Sequence, residues 1–195
     1  MTLLPTLALS LLCAAPIPAR PAAQPAPLAD AVLLAALRGE SLEARLTAID
    51  ALADRRAAAT IPYLAALALR RDEPPVLRSA AAAALGASGH PVAGRYLSVL
   101  LSAPSIEVRC AAAESLAGLG AASVEELQRV AMTDPNREVR ASAAQALGAI
   151  ATPRAASALE IVTTDVDAAV QIVTAHGLQK TPLRDPHAQA FLDEQ

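Results

Sequence analysis

The stretch EVRASAAQALG at residues 138–148 recurs along this chain of 195 residues. Similar phrases read EVRCAAAESLA at 107–117, VLRSAAAAALG at 76–86 and EARLTAIDALA at 43–53. A fixed period in this range indicates a stacked array of supersecondary units. The arginines of the four phrases lie 33, 31 and 31 residues apart, and they are Arg45, Arg78, Arg109 and Arg140.

Each phrase predicts an α-helix with one apolar face. Small or apolar residues follow the arginine at three, six and seven positions, which is the spacing of a helical face. The leucine at the seventh position is predicted to anchor the core, and a second row of leucines marks a second helix in every unit. The first row is Leu52, Leu85, Leu116 and Leu147, and the second is Leu64, Leu97, Leu127 and Leu159.

Turn residues separate the predicted helices. Glycine ends a helix at low cost by adopting a left-handed conformation, so the glycines are expected to lie between the two helices of a unit. Prolines are expected to separate one unit from the next. The glycines are Gly86, Gly89, Gly118, Gly120 and Gly148, and the prolines are Pro74, Pro104 and Pro135.

The composition fits short helices that pack closely. Hydrophobic residues make up 54% of the chain, yet Tyr63, Tyr96 and Phe191 are its aromatic residues. The core must therefore consist of Ala, Leu and Val, and Ala and Leu are strong helix formers. The sequence predicts an all-α fold, an α-solenoid in which about four to five antiparallel helix pairs stack into a superhelix.

The sequence DPNREVR at 134–140, followed by ASAAQALG, resembles the HEAT repeat in its short bacterial form, the phycobilisome-lyase type. The resemblance covers about residues 30–178. It implies an α-solenoid whose second helices line the concave surface. It also implies that the four arginines belong to a structural ladder between turns and helices, and in two units a turn carboxylate lies near the arginine in the sequence. Asp72 and Asp134 lie six residues before Arg78 and Arg140 and are the expected partners.

The first residues differ from the rest. Residues 3–15 form an uncharged apolar run, which is too short to span a bilayer but suits a signal peptide. We therefore expect a signal peptide at 1–19 or 1–23, a disordered Pro/Ala-rich linker at 20–29, the repeat domain at 30–178 and a C-terminal cap or tail at 179–195. Lipid attachment at Cys13 is disfavoured because Leu12 stands where a small residue is required. This organisation predicts export to the periplasm or secretion, with no membrane span.

Several function classes are disfavoured. A net charge of −3, one lysine and no tryptophan argue against nucleic-acid binding. None of His90, His176 and His187 has a carboxylate or second histidine at i+3 or i+4, as a helical metal site requires. Because no catalytic constellation is present either, we expect a protein that is not an enzyme and needs no cofactor.

The preferred hypothesis is a non-catalytic, monomeric scaffold that binds another protein through the exposed face of its second helices. One alternative is a cytoplasmic protein that resembles a phycobilin lyase or associates with one. Another is a purely structural spacer within a larger assembly. The residues predicted for the binding face are Arg95, Ser98, Glu125, Gln128, Arg129, Ser157 and Glu160.

Overall fold

The computed structural model describes residues 28–181. The predicted signal peptide, Cys13, most of the linker and the tail beyond Thr181 lie outside this range. Within it the chain forms ten α-helices and no strand. They are α1 (Leu28–Ala36), α2 (Leu42–Arg55), α3 (Ile61–Leu69), α4 (Pro75–Ala87), α5 (Pro91–Leu100), α6 (Ile106–Ala117), α7 (Val124–Thr133), α8 (Arg137–Ile150), α9 (Pro153–Val162) and α10 (Ala168–Lys180).

The helices form four pairs with one further helix at each end. Units 1 to 4 are α2–α3, α4–α5, α6–α7 and α8–α9, while α1 packs on α2 and α10 packs on α8 and α9. The first helices stack in the order α2, α4, α6, α8, α10. This arrangement confirms the predicted all-α solenoid. No helix of residues 28–181 is both long and apolar enough to cross a membrane.

Local sequence explains where the helices begin. The side chains of Ser41, Asn136 and Asp167 accept backbone N–H groups at the starts of α2, α8 and α10. Proline occupies the first position of α5 and α9, where its missing N–H has no partner to lose. In the other two units, short 3-10 turns at Ala58–Thr60 and Gly120–Ser123 lead into α3 and α7.

Both predicted leucine rows lie in the core. All eight side chains are at most 1% exposed, and alanines and valines fill the space between them. Cys110 is half-buried in α6, and this burial raises the pKa of its thiol. The core is therefore a continuous layer of aliphatic side chains between first and second helices.

The glycines play two different roles, which corrects the expectation that all five lie in turns. Gly89 and Gly120 adopt φ values of 63° and 70° after the first helices of units 2 and 3. Gly86 and Gly148 instead lie inside α4 and α8 and are buried. A Cβ on Gly86 would lie 2.6 Å from the Cβ of Ser115, so close contact between stacked first helices requires glycine there.

Candidate functional site

The arginine ladder connects turns that are stacked on each other. Arg109 donates from Nε and Nη2 to the Asp134 carboxylate, at 2.8 and 3.0 Å. Arg140 contacts Asp165 in the same way, at 2.7 and 3.0 Å. The Nη1 group of each arginine donates to a carbonyl oxygen of the preceding turn, that of Ala103 for Arg109 and that of Asp134 for Arg140. Each guanidinium therefore bridges the turn before its helix and the turn one unit later.

This geometry corrects the expected partner of Arg140. The Asp134 carboxylate faces Arg109, 25 residues earlier, and Arg140 contacts Asp134 through the backbone carbonyl. The carboxylate also accepts the N–H of Asn136 at 2.9 Å, which fixes its direction. Asp165, which the sequence reasoning missed, is held in the same way by the N–H of Asp167 at 2.8 Å.

Asp72 is not a ladder residue, contrary to the sequence expectation. Its carboxylate is exposed and pairs with Arg70 at 2.5 Å. The neighbouring Glu73 is the buried acid of this turn, and it pairs with Arg45 at 2.7 Å. Arg78 donates from Nε to the carbonyl oxygen of Ala68 at 2.9 Å and has no carboxylate partner within residues 28–181.

Burial distinguishes the ladder pairs from exposed surface pairs such as that of Arg154 and Glu125. The side chains of Arg140 and Asp165 are 12% and 8% exposed. Hydrogen bonding to Arg140 lowers the pKa of Asp165, and hydrogen bonding to Arg45 lowers that of Glu73. Both carboxylates therefore remain ionised into acidic conditions. Such pairing supports the structure, and it occupies both carboxylates with an arginine partner.

The predicted binding residues all lie on second helices, and they repeat with one spacing. In α5, α7 and α9 the residues at positions i, i+3 and i+4 are exposed or half-buried. The exposed members of the predicted set are Arg95, Glu125, Arg129 and Glu160, whereas Ser98, Gln128 and Ser157 are half-buried.

Two of these residues join neighbouring units. The Ser98 hydroxyl of α5 donates to the Glu126 carboxylate of α7. Glu125 of α7 accepts from Arg154 of α9. These contacts position the second helices against each other, so Ser98 and Glu125 serve the scaffold as well as its surface.

Exposed apolar residues that were not predicted from the sequence lie on the same face. Val99, Met132 and Ile161 are 60%, 51% and 48% exposed. Val99 follows Arg95 by four residues, Ile161 follows Ser157 by four, and Met132 follows Glu125 by seven, so each shares a helical face with a predicted residue. That spacing is the signal that could have found them. The second-helix face is defined here as the seven predicted residues together with Val99, Met132 and Ile161.

The described residues contain no group of three His, Cys, Asp or Glu side chains that could hold a metal ion. His90 caps α5, where its Nδ1 accepts the N–H of Val92 at 3.2 Å. His176 lies exposed on α10. The two histidines therefore lie on different helices, and His90 has a structural role as a helix cap.

Comparisons with known proteins place the chain among repeat proteins. The model of the family described as HEAT repeats matches residues 30–99 and 95–179. No curated protein matches the sequence. One similar solved structure is the complex of CpcE and CpcF of phycocyanin lyase from Nostoc sp. PCC7120, with a TM-score of 0.61 and 23% identity over 92% of this chain and 73% of that one.

An engineered protein is also similar, with a TM-score of 0.53 and 24% identity over 77% of this chain and 78% of that chain. These likenesses support a helical repeat fold, and the lyase structure is of a complex of two proteins. Because the family model matches most of the sequence, over two overlapping segments, the chain belongs to the HEAT-repeat family.

Proposed function

We propose that the chain is a non-catalytic scaffold that binds another protein through its second-helix face, outside the cytoplasm. The observation that supports this proposal is the repetition of exposed polar and apolar side chains on three successive second helices. Protein interfaces combine apolar contacts with a polar rim, and such a face offers both.

The charges of the face suit a polar partner surface. Arg95 on α5 and Arg129 on α7 are basic, while Glu125 and Glu160 are acidic. Val99, Met132 and Ile161 add apolar area next to these charges. The partner we expect therefore carries mixed charges around a modest apolar patch, and it binds with moderate affinity because the face has no tryptophan or tyrosine.

Affinity capture with charge-reversed protein tests the surface. The variant combines Arg95→Glu, Glu125→Lys and Glu160→Lys, and a second variant replaces Val99 and Ile161 by Ser. We expect both to lose partners that the unmodified protein retains from an extracytoplasmic extract.

The matched control reverses two exposed charges on first helices, Glu107→Lys in α6 and Glu138→Lys in α8. It should retain the same partners. Retention of every partner by the second-helix variants would show that these partners do not bind the second-helix face. Light scattering on the same preparations tests the proposal that the protein is a monomer.

Export is tested separately. Fractionation of host cells should place the protein outside the cytoplasm, and mass spectrometry should find it without residues 1–19 or 1–23. Full-length protein in the cytoplasm would contradict export and would favour the lyase-related alternative.

That alternative, a phycobilin lyase-like or lyase-associated protein, is favoured by the likeness to a chain of the complex of CpcE and CpcF. It predicts that the purified protein binds an open-chain tetrapyrrole such as biliverdin and shifts its absorbance. An unchanged spectrum at equimolar and excess protein would argue against this alternative.

A further inference from the structure

We propose that Arg78, together with the turn between α5 and α6, forms a binding site for a carboxylate group of another molecule. The proposal starts from the interruption of the arginine ladder in unit 2. In units 1, 3 and 4 the ladder arginine pairs with an acidic side chain of a later turn. Arg78 has no such partner in the described part of the chain.

Sequence register shows which residue replaces the missing acid. Asp134 and Asp165 each lie 25 residues after their arginine and two residues before the N-cap of the next first helix. Ala103 lies 25 residues after Arg78 and two before Ser105, the N-cap of α6. The carboxylate position of this turn is therefore occupied by a methyl group.

Some of the donors that hold a carboxylate in the neighbouring units remain available here, although the Nε of Arg78 bonds a carbonyl oxygen instead. Arg78 is 6% exposed, and with Nε bonded to Ala68 its Nη groups have no acceptor within residues 28–181. In the neighbouring units the backbone N–H of the N-cap residue also donates to the carboxylate. By sequence register, the equivalent donor here is the N–H of Ser105, the N-cap of α6. A buried charge without a counter-ion is costly, so an anion that reaches Arg78 gains both attraction and hydrogen bonds.

A cavity leads to the guanidinium. It has a volume of about 130 Å³ and is lined by Arg71, Arg78, Ser102 and Ala103 together with apolar side chains. This volume far exceeds the roughly 10–15 Å³ that one water requires. No acidic residue lines it, and Arg71, which is exposed at the cavity, adds a second positive charge. The planar fork of a guanidinium suits the two oxygens of a carboxylate.

Thermal unfolding with sodium acetate as the probe tests the site. Acetate replaces chloride at constant ionic strength and neutral pH, and unfolding is followed by circular dichroism. At acetate concentrations several times its dissociation constant, the midpoint of the wild-type chain should rise by about 2–4 °C more than that of a variant without the site.

Two variants should show no specific response to acetate, and a third is a control for size. Arg78→Met keeps an unbranched, flexible apolar side chain and removes the guanidinium with its charge, so the acetate-specific rise should disappear. Ala103→Asp supplies the missing carboxylate, so its midpoint should be higher in chloride and should not respond to acetate. Ala103→Asn is the matched control for size, and it should not reproduce the higher midpoint in chloride.

The outcomes separate clearly. A wild-type response equal to that of Arg78→Met overturns the proposal, and this comparison holds even where an Ala103 variant fails to fold. Because it needs no protein partner, the acetate experiment can succeed where the proposed scaffold function fails, and the reverse.

The source of the carboxylate is decided by a further comparison. If a partner protein supplies an aspartate or glutamate side chain, Ala103→Asp should lose at least tenfold in affinity for the isolated partner while Ala103→Asn loses less. Equal affinity of both variants, together with a positive acetate response, assigns the site to a free small carboxylate.

Discussion

Gly148 shows how a single residue sets the distance between first helices. A Cβ added to it would lie 2.6 Å from the Cα of Gly177 in α10. Backbone atoms cannot yield as a flexible side chain does, so we expect Gly148→Ala to destabilise the protein by about 1–3 kcal/mol. Urea denaturation followed by circular dichroism measures the change.

Gly94→Ala in α5 is the control for this prediction. Its new Cβ would meet the Cδ1 of Leu119 at 3.0 Å, and that flexible side-chain end can move. Alanine is also the better helix former by about 0.5–1 kcal/mol. Gly94→Ala should therefore be neutral or stabilising, and equal losses in the two variants would contradict the role assigned to close helix contact.

Ala151 carries backbone strain after α8. It is the C-cap of that helix, with φ 50° and ψ 39°, in the left-handed region that costs a residue with a Cβ about 1–2 kcal/mol. Ala151→Gly should stabilise the protein by about 0.5–1 kcal/mol, the part of this relief left after the greater entropy of glycine in the unfolded chain. The exposed helical residue Ala149 provides the control, since Ala149→Gly should destabilise by a similar amount. Thermal unfolding of both variants tests the opposite signs.

The sequence period predicts which residues are buried, but it does not show why a position requires glycine. The leucines at fixed positions are buried as expected, because the same face of each repeated helix packs into the core of the stack. Gly86 and Gly148 were expected in turns and lie within helices, since a sequence shows where glycine stands but not how near the next backbone passes. Conversely, Arg56 and Ala151 adopt left-handed conformations where no glycine marks the turn.

At the level of helices and turns, the arginine ladder couples neighbouring units through charge. Asp165 pairs with Arg140, and because its pKa is lowered by this pairing, the stabilisation is fully present above its ordinary value near 3.8. It is lost as the pH falls through the lowered pKa. We expect Asp165→Asn to cost about 1.5–3 kcal/mol at neutral pH. The difference from wild type should shrink below about pH 4, as measured by urea denaturation across a pH series.

The exposed pair of Arg154 and Glu125 is the matched control, since these side chains are 61% and 79% exposed. Glu125→Gln should change stability by about 0–1 kcal/mol, with little dependence on pH. A pH-independent loss in Asp165→Asn, or an equally large loss in Glu125→Gln, would show that the ladder does not act through the charge of its carboxylates.

The positions of the ladder arginines follow from the sequence, but their partners do not. Asp72 and Asp134 are the partners that the sequence predicts, because they lie near Arg78 and Arg140 along the chain. The pairs that form join residues 25 or 28 positions apart, because a turn stacks on the turn one unit later. In the same way, the second-helix face was predicted from its polar members, and its exposed apolar residues became recognisable when the packing of each helix was known.

At the scale of the whole molecule, the helices of residues 28–181 form an array in which extensive packing joins helices of the same or adjacent units. The ladder pairs and the contacts of Ser98 and Glu125 also reach no further than the next unit. Arrays of this kind behave approximately as a sum of unit stabilities and nearest-neighbour terms. A destabilising substitution at one end of the array should therefore lower local stability less at the other end.

Hydrogen exchange in two core variants tests this expectation. Leu52 in α2 and Leu147 in α8 are fully buried, so truncation of either to alanine should cost about 2–5 kcal/mol. Openings smaller than global unfolding should then become more frequent near the truncated residue. In Leu52→Ala, amides of α1 to α4 should lose more protection than those of α8 to α10, and Leu147→Ala should show the reverse. Each variant serves as the control for the other, because both remove the same atoms from equivalent positions. If both variants lower protection equally in every helix, the array unfolds as one cooperative unit and the nearest-neighbour description does not apply to it.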